Sequence, residues 1–289
     1  AYIDIIGKSL NEEFRRSFFT KKQIISSFGV LLSAVVARFI MHNARYPLNY
    51  EILFAAAAVF LLIATVGFWR LREIPIKSDG LMGYFKILST LPAVLKQDKN
   101  LRYYLVFINA VGAHVALTPF YVAFARKQFY LDAQVAGNIL FIQIIGMIAA
   151  SFLWPKLVKR GGFKLILKIF ALLSAALPPL ALFLGHTVSL PVYLILFLLV
   201  GVAVSAKMIT ENSVIVELTN EKNRVLYSGI VGTLNITIMI FPIALGALIQ
   251  WLGYTPVFIG VSLAALAAYF VLNKIVCPVD ISLHGNLTQ

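Results

Sequence analysis

Apolar residues along the chain fall into blocks of about 17 to 25 positions, the length that carries a helix across the hydrocarbon core of a bilayer. The blocks run over residues 23–40, 50–69, 101–124, 135–154, 164–184, 190–210, 226–249 and 254–275. None alternates apolar and polar side chains with period two, which excludes the strands of a membrane barrel. The pattern predicts an all-α, polytopic bundle of eight transmembrane helices.

Eight crossings return the chain to the side it started from, so the gaps between blocks divide into two sets. One set collects 21 of the 25 Lys and Arg residues, and the other holds Arg38, Arg45, Arg126 and Lys127. Positive charge accumulates on the cytoplasmic side, so both ends of the segment are expected there, with the plasma (inner) membrane as the expected location. The gap between the second and third blocks is the longest. In it Leu81, Tyr84, Phe85, Leu88, Leu91 and Leu95 recur at helical spacing, while Lys86, Ser89 and Lys96 take the other side. That is the pattern of a helix lying in the membrane interface; a solvated loop with incidental Leu spacing is the alternative.

Composition agrees with this reading. Of 289 residues, 60% are apolar or aromatic and 13% charged, about half the charged share of an ordinary soluble domain. The net charge of +13 could suggest nucleic acid, but the basic residues sit in the gaps between blocks rather than on one face with stacking aromatics, so no nucleic-acid partner is expected. The single cysteine, Cys277, excludes an intrachain disulfide and a cysteine metal cluster. The first ten residues, AYIDIIGKSL, lack the form of a secretory leader.

An internal repeat adds a second layer of order. Asn11, Glu12, Arg15 and Phe18 precede the first block with the spacing that Asn220, Glu221, Arg224 and Tyr227 show before the seventh. Six helices therefore make one repeat, and the expectation is that four helices precede the present chain in a twelve-helix protein. Parallel six-helix repeats, a long cytoplasmic linker and an Arg at the cytoplasmic start of the fifth helix of each half resemble the major facilitator superfamily of secondary transporters, with this chain as helices five to twelve. The resemblance extends to the turn PKLVKRGGFK. There Leu157, Arg160, Gly162 and Lys164 match the family signature Gly-x-Leu-Ala-Asp-Arg-x-Gly-Arg-Arg, while Pro155 and Lys159 replace its first Gly and its Asp.

The resemblance implies the following organisation. Residues 1–70 supply the last two helices of the first bundle, 71–100 the linker, 101–276 the second six-helix bundle and 277–289 a cytoplasmic tail. Arg15, Arg160, Gly162 and Arg224 mark the cytoplasmic turns, where a plain basic turn is the alternative to a gating role.

Polar side chains inside spans are costly, so they tend to face a central pathway or pair with one another. In the third block these are Asn109 and His114, followed by the helix-breaking Pro119. His114 could take up a proton at physiological pH; a structural histidine bonded to a neighbouring helix is the alternative, as interhelical glue is for Asn109. Lys207 and Glu211 are four apart, share a helical face and can pair, with Asn212 beside them; a proton or anion relay is one reading, and a snorkelling Lys and a wet Glu at the cytoplasmic end of the span are the alternative. Asn138, Gln143, Asn235 and Thr237 complete the candidate lining. Trp69, Trp154 and Trp251 fall at block ends and read as interfacial anchors.

Enzyme chemistry finds no support. The four His are scattered, and no HExxH, GxSxG, Walker or GxGxxG pattern occurs, so neither a cofactor nor a metal is expected. The expected function is alternating-access transport of a small solute, driven by an ion gradient, protons included, or by the solute gradient, in a monomer embedded in lipid. A membrane binding or assembly protein that kept the fold without transport is the rival.

Overall fold

The structure, a computed structural model, describes residues 12–69, 84–131, 135–219, 224–235 and 240–275. Among the described residues there are nine helices: α1 (Glu12–Asn43), α2 (Leu48–Trp69), α3 (Tyr84–Gln97), α4 (Lys99–Phe129), α5 (Val135–Thr187), α6 (Leu190–Leu218), α7 (Arg224–Leu234), α8 (Phe241–Leu252) and α9 (Tyr254–Leu272). Six helices are long and apolar enough to cross a membrane: α1, α2, α4, α5, α6 and α9.

Helix α5 accounts for two of the expected crossings. Its 53 residues would extend about 80 Å as one rod, more than twice the thickness of a hydrocarbon core. The rod breaks at Gly161 and Gly162, where Gly162 takes φ 63° and ψ −170°, a left-handed region that costs a side-chain-bearing residue steric strain. The break falls inside the basic turn PKLVKRGGFK, between the expected spans 135–154 and 164–184. The expected span 226–249 is divided between α7 and α8, the latter opening with Pro242 at its start, where a missing N–H costs nothing.

The core sits among α4, α5, α6 and α9. Helices α5 and α6 approach backbone to backbone: a Cβ added at Gly146 would collide with the Leu198 carbonyl, and one at Gly201 with that of Gln143. Small residues permit such crossings, which are favoured where lipid supplies no hydrophobic drive between helices. Towards the other end of α4, aromatic rings fill the space. Tyr121 meets Phe258 edge-on at 5.3 Å, Phe129 lies 5.3 Å from Tyr193, and the Tyr193 hydroxyl donates to the Tyr121 carbonyl at 3.1 Å.

Helix α1 docks on α5 and α6 through its first half. Phe19 is buried and meets Phe163 edge-on at 6.5 Å; Thr20, Gln23 and Ser27 are buried beside it. Beyond Ser27, no described residue of α1 is buried. Helix α2, apolar all round, packs chiefly along α1 and exposes Phe54, Phe60, Leu61 and Leu62, as expected of surface that lipid or further helices cover. The amphipathic segment forms α3, whose Leu91, Val94 and Leu95 pack on the core while Lys96 is exposed; the side chains of Tyr84, Phe85, Lys86 and Leu88 lie outside the described residues. Residues 70–83, with Leu81, lie outside the described residues.

Candidate functional site

A cavity of about 450 Å³ opens between α4, α5, α6, α7 and α8. Its walls are mostly apolar: Phe107, Ile108 and Val115 from α4, Leu167 and Phe170 from α5, Ile215 from α6, Val231 from α7 and Pro242 from α8. Polar groups are few: Tyr104, Lys207, Thr210, Glu211, Ser228 and Asn235. An apolar chamber with a small number of fixed polar groups is the usual form of a small-molecule site.

Helical spacing decides which side chains of α4 reach it. Tyr104, Ile108, Gly112, Val115 and Pro119 recur at three- and four-residue steps and form the wall. His114 lies on a different stripe with Val111, Leu117 and Tyr121, all buried. The His114 ring is 1% exposed, its Nδ1 is 3.0 Å from the Tyr121 hydroxyl, and it is not among the wall residues.

Lys207 and Glu211 face the cavity from one side of α6, with Nζ 4.0 Å from Oε2 and side chains 29% and 43% exposed. Four ångströms is the outer limit of an ion pair, so both groups keep their reach into the chamber. Thr210, between them, turns back on its own helix and donates to the Ala206 carbonyl at 2.7 Å. Lys207, Glu211 and Asn235 are thus brought together on the cavity wall.

The other candidates are placed apart from it. The Asn109 amide donates to the Leu105 carbonyl at 2.9 Å and to the Leu234 carbonyl at 3.1 Å, which ties α4 to α7 beside Asn235. Gln143 sits where α5 crosses Gly201 and is not a wall residue. Arg160 is exposed at the break in α5, next to Gly161 and Gly162. Thr237 and the side chains of Arg15, Asn138, Asn212 and Arg224 lie outside the described residues.

A buried polar ladder joins α1 to α5 and α6. Ser205 accepts from Trp154 Nε1 at 2.9 Å and from Gln23 Nε2 at 3.3 Å. Ser151 lies 3.3 Å from Ser205 and 2.8 Å from Ser27, oxygen to oxygen. All five side chains are buried. This corrects the expectation for Trp154: it is 1% exposed and bonded inside the bundle, whereas Trp69 and Trp251, at 83% and 84%, are exposed at helix ends. The Trp154 ring turns inward, where the indole N–H finds the Ser205 hydroxyl. A second tie joins the starts of α4 and α7, where the Tyr227 hydroxyl donates to Asp98 Oδ2 at 2.7 Å and Asp98 Oδ1 caps α4 by accepting from Leu101 N–H at 3.0 Å.

Sequence reasoning missed the ladder, Tyr104 and Ser228. Of these, Tyr104 carried a readable signal, since it stands three and four residues before the apolar pair Phe107 and Ile108.

The comparisons agree with the fold. No curated protein matches the sequence. The solved structure of the human organic anion transporter MFSD10 (TETRAN) superposes with a TM-score of 0.70 at 20% identity, covering 93% of this chain and 66% of that one. The chain thus spans about two thirds of that protein's length, and the likeness is one of fold. The family model of the major facilitator superfamily matches residues 103–282, more than half of the chain, from the start of α4 through α9. With apolar helices of crossing length, a basic turn broken at Gly162 and a matched six-helix region, this integral membrane protein belongs to the major facilitator superfamily.

Proposed function

We propose that the protein carries a small solute across the membrane by alternating access, with the cavity bounded by α4, α6 and α7 as the solute site. The observation that carries this reading is the chamber itself: about 450 Å³ of mostly apolar wall holding one Lys–Glu pair. A charged pair on a mostly apolar wall is expensive unless a pathway or a ligand uses it. The same wall suits a solute with an apolar body and one acidic group, which would lie on Phe107 and Phe170 and reach Lys207. The human structural neighbour carries organic anions according to its name, which agrees with that class.

In this reading residues 1–70 belong to one bundle, 71–100 link it to the next, and 101–276 form the second. The ladder from Gln23 and Ser27 to Ser151 and Ser205 is the contact that must open and close as the bundles rock. The 21 basic residues on one side orient both ends of the segment to the cytoplasm. Full-length protein reconstituted in sealed vesicles tests the reading, with radiolabelled 1-naphthalenesulfonate, its neutral amide and a quaternary ammonium analogue as solutes. Saturable flux of one class supports transport. Binding without flux favours a membrane binding protein that kept the fold.

A further inference from the structure

At one end of the bundle, outside the cavity, two cations converge on a single ring. The Arg102 guanidinium carbon lies 5.7 Å from the centroid of Tyr103, at the start of α4, and the Lys274 ammonium, just past the end of α9, lies 5.8 Å from it. Both distances are within the reach of cation–π attraction. Two like charges from different helices are thereby held near one another, and both side chains are exposed. Among the described residues neither makes an ion pair. The acid one turn before Arg102 is engaged elsewhere, since Asp98 accepts from the Tyr227 hydroxyl through one oxygen and from the Leu101 N–H through the other. Like charges repel, and an anion placed between them turns that cost into attraction.

The surface that leads away from the cations is apolar. Val106 stands one turn beyond Arg102 on α4, Phe270 stands one turn before Lys274 on α9, and Leu263 continues the α9 stripe; all three are exposed. Helices α4 and α9 pack side by side, while α1 docks on α5 and α6 and does not run along this seam. A soluble anion would use the cations and leave the apolar run unmatched. A lipid with an acidic headgroup uses both.

We infer that the seam between α4 and α9 binds an anionic phospholipid, with its phosphate between Arg102 and Lys274 and an acyl chain laid over Val106 and Phe270. Basic recesses between transmembrane helices recognise acidic headgroups by the same chemistry. A zwitterionic lipid brings its own cation into the space beside Arg102 and Lys274, where it is repelled, so preference for an acidic headgroup follows from the charges. The site is separate from the chamber, because Arg102, Tyr103 and Lys274 are not wall residues. It goes beyond the proposed transport and does not depend on which solute crosses.

The test titrates full-length protein, purified in detergent, with dioleoyl phosphatidylglycerol and follows the tightest-bound lipid by native mass spectrometry. Dioleoyl phosphatidylcholine and glycerol 3-phosphate are the comparison ligands. One saturable phosphatidylglycerol is expected, bound about tenfold or more tightly than phosphatidylcholine. Each basic residue at a membrane surface contributes roughly fivefold to such binding, so K274Q should weaken phosphatidylglycerol about fivefold and R102Q/K274Q roughly 25-fold. R102K/K274R, which keeps both charges, should retain most of the affinity. K156Q/K159Q removes two exposed cations from the basic turn instead and should leave the site unchanged. Phe270→Ala should weaken the lipid through the chain it no longer covers.

Equal affinity for the two lipids overturns the inference. So does an equal loss in K156Q/K159Q, because diffuse surface charge would then account for the binding. Displacement of the lipid by glycerol 3-phosphate at matching concentration would make this a site for soluble phosphate and overturns the lipid assignment. Unfolding midpoints measured without added lipid, equal to the parent's, separate loss of the site from loss of fold. Flux of 1-naphthalenesulfonate is read in its own assay, so failure of the lipid site leaves the transport reading standing, and failure of transport leaves the lipid site standing.

Discussion

Replacing Ser205 by Ala removes one oxygen, and the structure fixes what that oxygen was doing. It is fully buried and accepts from Trp154 Nε1 at 2.9 Å and from Gln23 Nε2 at 3.3 Å. The indole nitrogen is a donor with no other role, so Ser205→Ala leaves it orphaned in the core, at a cost of about 1–3 kcal/mol. Gln23 keeps a weak acceptor, Met208 Sδ at 3.9 Å, and loses less, about 0.5 kcal/mol. Interhelical hydrogen bonds in membrane proteins have averaged only ~0.6 kcal/mol, which places the sum near 2 kcal/mol. For a chain of 289 residues that lowers the unfolding midpoint by about 3 °C. Ser174→Ala is the matched control, because Ser174 Oγ is buried with no hydrogen-bond partner and its removal should cost nothing or stabilise. The assay is thermal unfolding in one detergent, followed by a cycle with Trp154→Phe. In the Phe background, Ser205→Ala should cost about 1 kcal/mol less, the coupling expected of groups in contact. If Ser205→Ala and Ser174→Ala unfold together, or the cycle shows no coupling, the ladder does not hold the helices as described.

Two further substitutions probe packing and the role of His114. Gly201→Ala drives a methyl into the Gln143 carbonyl and should destabilise by about 1–3 kcal/mol, read as a fall in unfolding midpoint; an unchanged midpoint would mean that α5 and α6 do not cross there. His114→Gln keeps an acceptor for the Tyr121 hydroxyl, so solute flux and its pH profile should match the parent. A loss of uphill uptake with counterflow intact would return His114 to the proton pathway.

The bilayer explains why so much of the fold could be read from sequence. It imposes span length, helical conformation and charge asymmetry, and among the described residues the eight apolar blocks fall mainly on helix. The Lys207–Glu211 pair was equally legible, since four-residue spacing on a helix is local geometry. What the chain alone could not supply was helical phase relative to neighbours. Asn109 and His114 share a span, yet one ties α4 to α7 and the other faces the aromatic core, while Tyr104 and Val115 line the chamber. Ser27 and Ser151 were silent for a related reason. Each also bonds the carbonyl four residues back, Gln23 and Met147, as a lone hydroxyl in any apolar helix does, and their meeting depends on tertiary contact alone. Trp154 misled because a tryptophan at a block end looks the same whether its ring turns to the interface or inward.

Gly232 offers the most direct test of the chamber as the solute site. It lies on the wall of the cavity, and a Cβ added there meets nothing within 4 Å, so a side chain can start from this position of the wall without a clash at its first atom. Gly229, one turn earlier on α7, is equally open but is not a wall residue. Flux of 1-naphthalenesulfonate into proteoliposomes is measured for Gly232→Phe and Gly229→Phe, with unfolding midpoints recorded alongside. The account expects flux and binding to vanish in Gly232→Phe, to survive in Gly229→Phe, and both midpoints to stay at the parent value. Parental flux through Gly232→Phe would contradict it, because the solute would then be passing somewhere other than this cavity.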